Sequence, residues 1–293
     1  MDTLRVACIQ MNSIDDVAVN LLRAGELLER AAGLGARLAL LPENFAFMGA
    51  DDAAKRHAAE AESESRALAF LAEHAAKLGM AVIGGSVLLL DEGGDRLRNT
   101  SVAFSAKGER LAAYDKMHLF DVDVEGEVYR ESDLIRAGEA PQTACIEGWN
   151  VGLSICYDLR FPELYRHYSA VGCHVLTVPS AFTVPTGKAH WKPLLRARAI
   201  ENQCYVLAAG QWGIHPGGRR TWGHSMIVDP WGEVLESKKE GNAVLIADMS
   251  RGSLQAIRRL FPVLGPVNTN SDRSAAPQMR PVKAQGEKFG ESK

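Results

Sequence analysis

Residues 36–42, ARLALLP, form a short, almost unbroken apolar run, and this pattern constrains the fold more than any other in the chain. A strand that is apolar all round must be covered on both faces. It follows NLLRAGELLERAAGLG (20–35), whose apolar residues recur at helical spacing and which ends on Gly33 and Gly35, a helix C-terminal signal. LRVACIQM (4–11) reads as a first strand and ESESRALAFLAEHAAKLG (62–79) as a second helix closed by glycine. MAVIGGSVLLL (80–90) predicts a strand, DEGGD a turn, and RNTSVAFSA (98–106) its antiparallel partner, before LAAYDK (111–116).

The second half repeats this order. A strand at 151–156 feeds a helix at 162–171 whose first residue is Pro162. CHVLTVPS (173–180), AHWKPLLRARAIENQ (189–203) and CYVLAAG (204–210) read as strand, helix and strand. SMIVDPWGEVLE (225–236) is a hairpin around a DPWG turn, and AVLIADM (243–249) closes the sheet region. Two such halves predict a mixed α/β protein, for which two sheets stacked between helix layers is the economical arrangement. No linker separates the halves, so one domain is expected over residues 1–273. The stretch 274–293 is a polar, Lys-rich tail, expected to be flexible or used in oligomer contacts.

Composition excludes several classes. A 46% apolar share over 293 residues supplies a large core, and a net charge of −3 without a basic stripe argues against nucleic-acid binding. No apolar stretch approaches the roughly 18 residues of a membrane helix. The start, MDTLRVACIQMN, lacks the pattern of a signal peptide. Cys8, Cys145, Cys156, Cys173 and Cys204 are odd in number and widely spaced, unlike a disulfide framework or a CxxC pair. A cytoplasmic, reducing setting is expected.

Three reactive groups stand where strands end. Glu43 follows ALLP, Lys116 ends LAAYDK, and Cys156 sits in VGLSICYDLRFPEL, where a strand gives way to a helix. Ligands bind at that edge of an α/β sheet. Each alone has an ordinary reading: solvated carboxylate, surface lysine, inert buried thiol. Their coincidence favours a site. A Cys–His pair is the rival, with His118, His174, His190 and His224 available. No HExxH, EF-hand, Walker or GxGxxG pattern occurs. HPGGRR (215–220) is a Gly-rich turn without the GK[ST] ending of a phosphate loop.

The stretches LLPENF, YDKMHLFDVD, YRESD, LSICYDLRFPEL, AHWKPLLRARAIENQCYV and GHSMIVDPWGEVL resemble, in order, the nitrilase or carbon–nitrogen hydrolase superfamily, and within it the Nit branch of small amidases. The resemblance implies a four-layer αββα sandwich with two stacked mixed β-sheets, associating as a homodimer or larger homo-oligomer. It implies Cys156 as nucleophile, Glu43 as general base and Lys116 as the cation beside the oxyanion. A second glutamate is placed at Glu131, with Glu125 and Glu127 as alternatives. No metal or organic cofactor is implied.

Substrate contacts are expected from the Tyr157 N–H, from Arg160 as a carboxylate anchor, and from Phe182 and Thr186 in SAFTVPTGKAHW. Arg160 could instead form a structural ion pair with Asp158 or Glu163, and Phe182 could be ordinary core. The partner is a small-molecule amide. The implied reaction is hydrolysis of deaminated glutathione to 2-oxoglutarate and cysteinylglycine through a thioester. The alternatives are ω-amidase action on 2-oxoglutaramate, an acyl transfer to an amine, or a catalytically idle binding or scaffold member.

Overall fold

The computed structural model describes residues 2–124 and 127–264. The tail read at 274–293 and Glu125 lie outside them. The first half runs β1 (Thr3–Gln10), α1 (Val17–Gly33), β2 (Leu38–Leu40), α2 (Asp52–Ala58), α3 (Arg66–Leu78), β3 (Ala81–Ile83), β4 (Val87–Leu90), β5 (Leu97–Phe104) and β6 (Arg110–Asp115). A hairpin of β7 (Asp121–Val124) and β8 (Glu127–Arg130) follows. The second half runs β9 (Thr143–Ile146), β10 (Trp149–Gly152), α4 (Pro162–Ala170), β11 (Val175–Thr177), the single turn α5 (Val184–Thr186), α6 (Lys192–Asn202) and β12 (Tyr205–Ala208). It ends with β13 (Trp212–Ile214), β14 (Arg220–Trp222), β15 (Ser225–Val228), β16 (Val234–Lys238), β17 (Ala243–Ser250) and α7 (Arg251–Leu260).

One sheet has the order β17-β1-β2-β3-β5-β4, with β6 on the far edge of β5; the other has β16-β15-β12-β11-β10-β9. Parallel pairs β1–β2–β3 and β10–β11–β12 form the two centres. The apolar alternation of β1 explains the layers. Leu4, Val6 and Cys8 join a core built from both sheets, whereas Ala7 and Ile9 pack beneath α1 and α3. A one-residue slip would exchange these faces, so burial on both sides holds the register. Leu164, Tyr165, Tyr168, Leu195 and Ala199 of α4 and α6 cover the second sheet, completing an αββα sandwich. Strand β17 returns from the second half to pair with all eight residues of β1, stitching the halves together.

The helix ends follow their sequence signals. Asp16 and Ser65 cap α1 and α3 by accepting from the Val19 and Leu68 N–H groups, and Gly79 closes α3 in the left-handed conformation. Three expectations need correction. The strand read at 80–90 breaks at Gly84–Ser86 into β3 and β4. Gly85 has φ +54°, and a Cβ there would stand 2.0 Å from the Pro42 carbonyl oxygen. The strand read at 151–156 stops at Gly152, and Cys156 opens a 3-10 helix, Cys156–Arg160. The acidic loop after Lys116 is the β7–β8 hairpin, with Asp121 opposite Arg130 and Val122 opposite Tyr129. Helix α2 and strand β9, unread in the sequence, are too short for a strong periodic signal, and α7 is a mostly polar helix with one buried side chain, Leu254.

Candidate active site

Ends of strands from both sheets, and the β7–β8 hairpin, meet over one cavity of about 210 Å³. Glu43 lies just past β2. Its Oε1 accepts from Lys116 Nζ at 3.0 Å and Asn99 Nδ2 at 3.1 Å, and its Oε2 accepts from the Ala181 N–H at 2.8 Å. Gln211 Nε2 donates to the Glu43 carbonyl at 3.1 Å. Lys116 follows β6 directly, and its Nζ also donates to Glu131 Oε1 and Oε2 at 2.9 and 2.8 Å. Glu131 begins the turn after β8 and accepts the Phe120 N–H at 2.6 Å. Of the three glutamates weighed in this loop, Glu131 is the one bonded to Lys116 among the described residues.

Cys156 is brought to the same cavity wall as Glu43, close enough that thiol and carboxylate each shift the other's ionisation. The backbone at Cys156 is left-handed, φ 50°, a conformation that costs a non-glycine residue about 1–3 kcal/mol. The surroundings hold it there. Its N–H donates to the Pro179 carbonyl at 2.9 Å, and the turn is anchored two residues on by Asp158. That fully buried carboxylate accepts from Tyr114 Oη at 2.8 Å, the Ile155 N–H at 2.8 Å and the His118 N–H at 3.0 Å, and lies 2.7 Å from His118 Nδ1. Since Tyr114 and His118 flank Lys116 in sequence, Asp158 ties the lysine's segment to the cysteine's.

The charges settle each other. Burial opposes ionisation of Glu43, yet the Lys116 charge, the Cys156 thiol and the Lys116 bond keep its carboxyl below the usual range. Burial also disfavours the Lys116 ammonium, but Glu131 and Glu43 together push its pKa up. Burial and then the Glu43 charge push the Cys156 thiol up, only partly offset by Lys116. The resting set is therefore thiol, carboxylate and ammonium, with no preformed thiolate. Proton transfer from sulfur to Glu43 becomes favourable only as the sulfur bonds to an electrophile. Among the described residues no histidine is bonded to the thiol: His174 accepts from the Asn150 N–H, His224 stacks on Trp222, and His190 meets Arg160. Nor is any group of three His, Cys, Asp or Glu side chains placed to hold a metal ion among those residues.

Tyr157, Arg160, Phe182 and Thr186 all line the same cavity. Arg160 forms no ion pair with Asp158 or Glu163. Its Nη1 lies 3.0 Å from His190 Nδ1, and its guanidinium sits over the rings of Tyr157 and Phe182, 5.5 and 5.2 Å from their centroids. Phe182 also packs on Trp191, ring centroids 4.8 Å apart, so it serves core and cavity at once. Gly187 lets Trp222 pack closely against the chain after Thr186: a Cβ there would fall 2.3 Å from the indole.

Four residues of the site escaped the sequence reading. Asn99 stands within a buried strand beside Arg98, Thr100 and Ser101, so no local signal sets it apart from its polar neighbours. Asp158 and Tyr114 were hidden as ordinary neighbours of better candidates. Arg219 lies in the HPGGRR turn and reaches the cavity, its Nη2 donating to the Ala181 carbonyl at 3.1 Å.

That turn is held by His215, which carries a pH dependence. Its Nδ1 lies 2.8 Å from the Ser13 carbonyl oxygen and its Nε2 2.7 Å from Thr221 Oγ1. Burial lowers its pKa to about 4 despite the Ser13 bond, and the Arg219 charge adds to the lowering. Above pH 6.5 both folded and unfolded chains carry it neutral. As pH falls toward 4 only the unfolded chain takes the proton, so the fold loses roughly 3 kcal/mol in that window. Denaturant melts of wild type and His215→Asn at pH 7 and pH 4.5 check this. The variant is expected to lose less stability between the two; equal losses would count against it.

A model of the carbon–nitrogen hydrolase family matches residues 5–259. The chain belongs to the carbon–nitrogen hydrolase family. This hydrolase is 42% identical over 262 residues to a deaminated glutathione amidase of Synechocystis sp., covering 88% of this chain and 96% of that one. It is 36% identical over 264 residues to the omega-amidase NIT2 of Danio rerio, covering 90% and 94%. Its fold is similar to the crystal structure of the C. elegans NitFhit protein, with a TM-score of 0.85 and 35% identity over 92% of this chain and 66% of that longer one.

Proposed function

We propose that this carbon–nitrogen hydrolase cleaves a small carboxylated amide through a thioester on Cys156, and that its substrate is deaminated glutathione. The observation that carries the chemistry is the cluster of buried Glu43, Lys116 and Cys156 with half-buried Glu131 at one cavity wall. The substrate follows from the relatives, of which the deaminated glutathione amidase of Synechocystis is more similar than the omega-amidase of Danio.

In this reading Cys156 Sγ attacks the amide carbon while its proton passes to Glu43. The carbonyl oxygen becomes an oxyanion facing Lys116 Nζ and the Tyr157 N–H. The N–H groups on either side are spent, Cys156 on Pro179 and Asp158 on Ile155, which leaves Tyr157 as the donor this turn offers. One such donor lowers the barrier by about 3 kcal/mol. Glu43 then gives its proton to the departing amine nitrogen, the C–N bond breaks, and the acyl group remains on sulfur. Glu43 next takes a proton from water as its oxygen attacks the thioester, and returns it to sulfur. Glu131 holds Lys116 in place. Arg160, free of any carboxylate partner among the described residues, anchors the acyl-side carboxylate, with Phe182, Tyr157 and Thr186 shaping the pocket. The cytoplasmic setting is supported by five cysteines without a disulfide.

The test is hydrolysis by the purified protein, followed by product release. Deaminated glutathione is expected to be cut to 2-oxoglutarate and cysteinylglycine at a higher kcat/KM than 2-oxoglutaramate is cut. Activity confined to 2-oxoglutaramate would move the assignment to an ω-amidase, and inertness toward both would sink the amidase reading.

A further inference from the structure

The cavity has more positive than negative charge, and the surplus is localised. Its lining carboxylates are Glu43, Asp52 and Glu131; its lining cations are Lys55, Lys116, Arg130, Arg160 and Arg219. Lys55 pairs with Asp52 at 2.7 Å, Lys116 with Glu43 and Glu131, and Arg130 with Asp123 at 3.0 Å. Arg160 and Arg219 remain, with no carboxylate in ion-pair range among the described residues.

These two guanidiniums occupy different parts of the site. Arg160 belongs to the 3-10 helix of Cys156 and lies over Tyr157 and Phe182. Arg219 comes from the turn before β14 and is placed beside Glu43: its Nη2 bonds the carbonyl of Ala181, whose N–H bonds Glu43. Its charge also helps to lower the Glu43 pKa. Among the described residues only Nη2 of its donors is spent. Arg219 Nε is shielded from solvent and bonded to nothing among the described residues. A shielded donor without an acceptor is costly, and a guanidinium so placed is primed for an anionic ligand.

Glu43 hands its proton to the departing amine, so whatever that amine carries lies on the Glu43 side, toward Arg219. We propose that Arg219 binds a carboxylate on the leaving amine, so that the preferred substrate is an amide flanked by a carboxylate on each side of the scissile bond. This rests on the amidase reading above and extends it, because Arg160 takes the acyl-side carboxylate and Arg219 the other. Deaminated glutathione carries both charges, on its 2-oxo acid and on its glycine; 2-oxoglutaramate carries only the first. Arg219 is thus a specificity-determining residue, in a turn unconnected in sequence to any of the catalytic candidates.

The experiment measures kcat and KM for three probes: deaminated glutathione, the same peptide with its glycine carboxylate converted to an amide, and 2-oxoglutaramate. Wild type, Arg219→Gln and Arg219→Lys are compared. Arg219→Gln is expected to lower kcat/KM for deaminated glutathione at least 10-fold more than for 2-oxoglutaramate, chiefly through KM. The wild type's preference for the free acid over the amidated peptide is expected to vanish in Arg219→Gln and to return in part in Arg219→Lys. Equal proportional losses on all three probes, which a purely structural turn would give, overturn the assignment while leaving the amidase reading intact. A wild type inert toward all three overturns both.

Discussion

Cys156→Ala is expected to abolish amide hydrolysis, with kcat falling at least about 10⁴-fold, as when a nucleophile is removed from an acyl-transfer enzyme. The loss is expected in a folded protein. The side chain is small, and the left-handed turn that carries it is held by the Cys156–Pro179 backbone bond and by Asp158, none of which needs the thiol. Two measurements separate chemistry from folding. The melting temperature should move by only a few degrees. Acid quench of wild type during turnover should yield a thioester-mass adduct on the Cys156 peptide that is missing from the variant. Substantial residual hydrolysis by Cys156→Ala would remove sulfur from the mechanism.

The second large effect is on stability as well as rate. Lys116→Met leaves Glu43 buried, 3% exposed, without the cation that keeps it ionised. Breaking a buried pair from one side costs about 3–5 kcal/mol, whereas removing both charges is often nearly neutral. The single variant should therefore melt on the order of 10 °C lower than wild type. Lys116→Met combined with Glu43→Gln should recover a good part of that loss, since the stranded charge is gone, and still be inactive. Thermal melts of the three proteins decide the matter: a single variant as stable as wild type would show that Lys116 does not compensate Glu43.

Both predictions depend on residues that stand out in the sequence at strand ends, which is why they were legible there. Glu43 and Lys116 each follow an apolar run that must be a buried strand, so their backbones stop at a sheet edge whatever the rest of the chain does. Cys156 was read at a strand end too, but its strand ends four residues early and the thiol rides a left-handed turn instead. Glu131 was placed first among three acids within seven residues of a loop on the resemblance of YRESD, and the Lys116 bond is what marks it in the structure. Arg160 presented two readings, and the structure removed one of them by giving Asp158 to Tyr114, His118 and Ile155.

The sequence by itself determined the layers: strands apolar on both faces demand cover on both, and two halves with the same order of elements stack their sheets. It also determined which groups stand at strand ends, because a periodic pattern marks where burial stops. Only the tertiary structure decided which of those groups touch and what charge each carries. Asn99, Asp158 and Arg219 reach the site from a strand interior, a short turn and a glycine-rich loop whose local patterns are ordinary. Their roles arise from contacts 38 to 56 residues apart in the chain, Arg219 to Ala181, Asp158 to Tyr114 and Asn99 to Glu43, and from the exclusion of water around them. Hydrogen-bond geometry and desolvation act through space, and neither leaves a periodic trace along the chain.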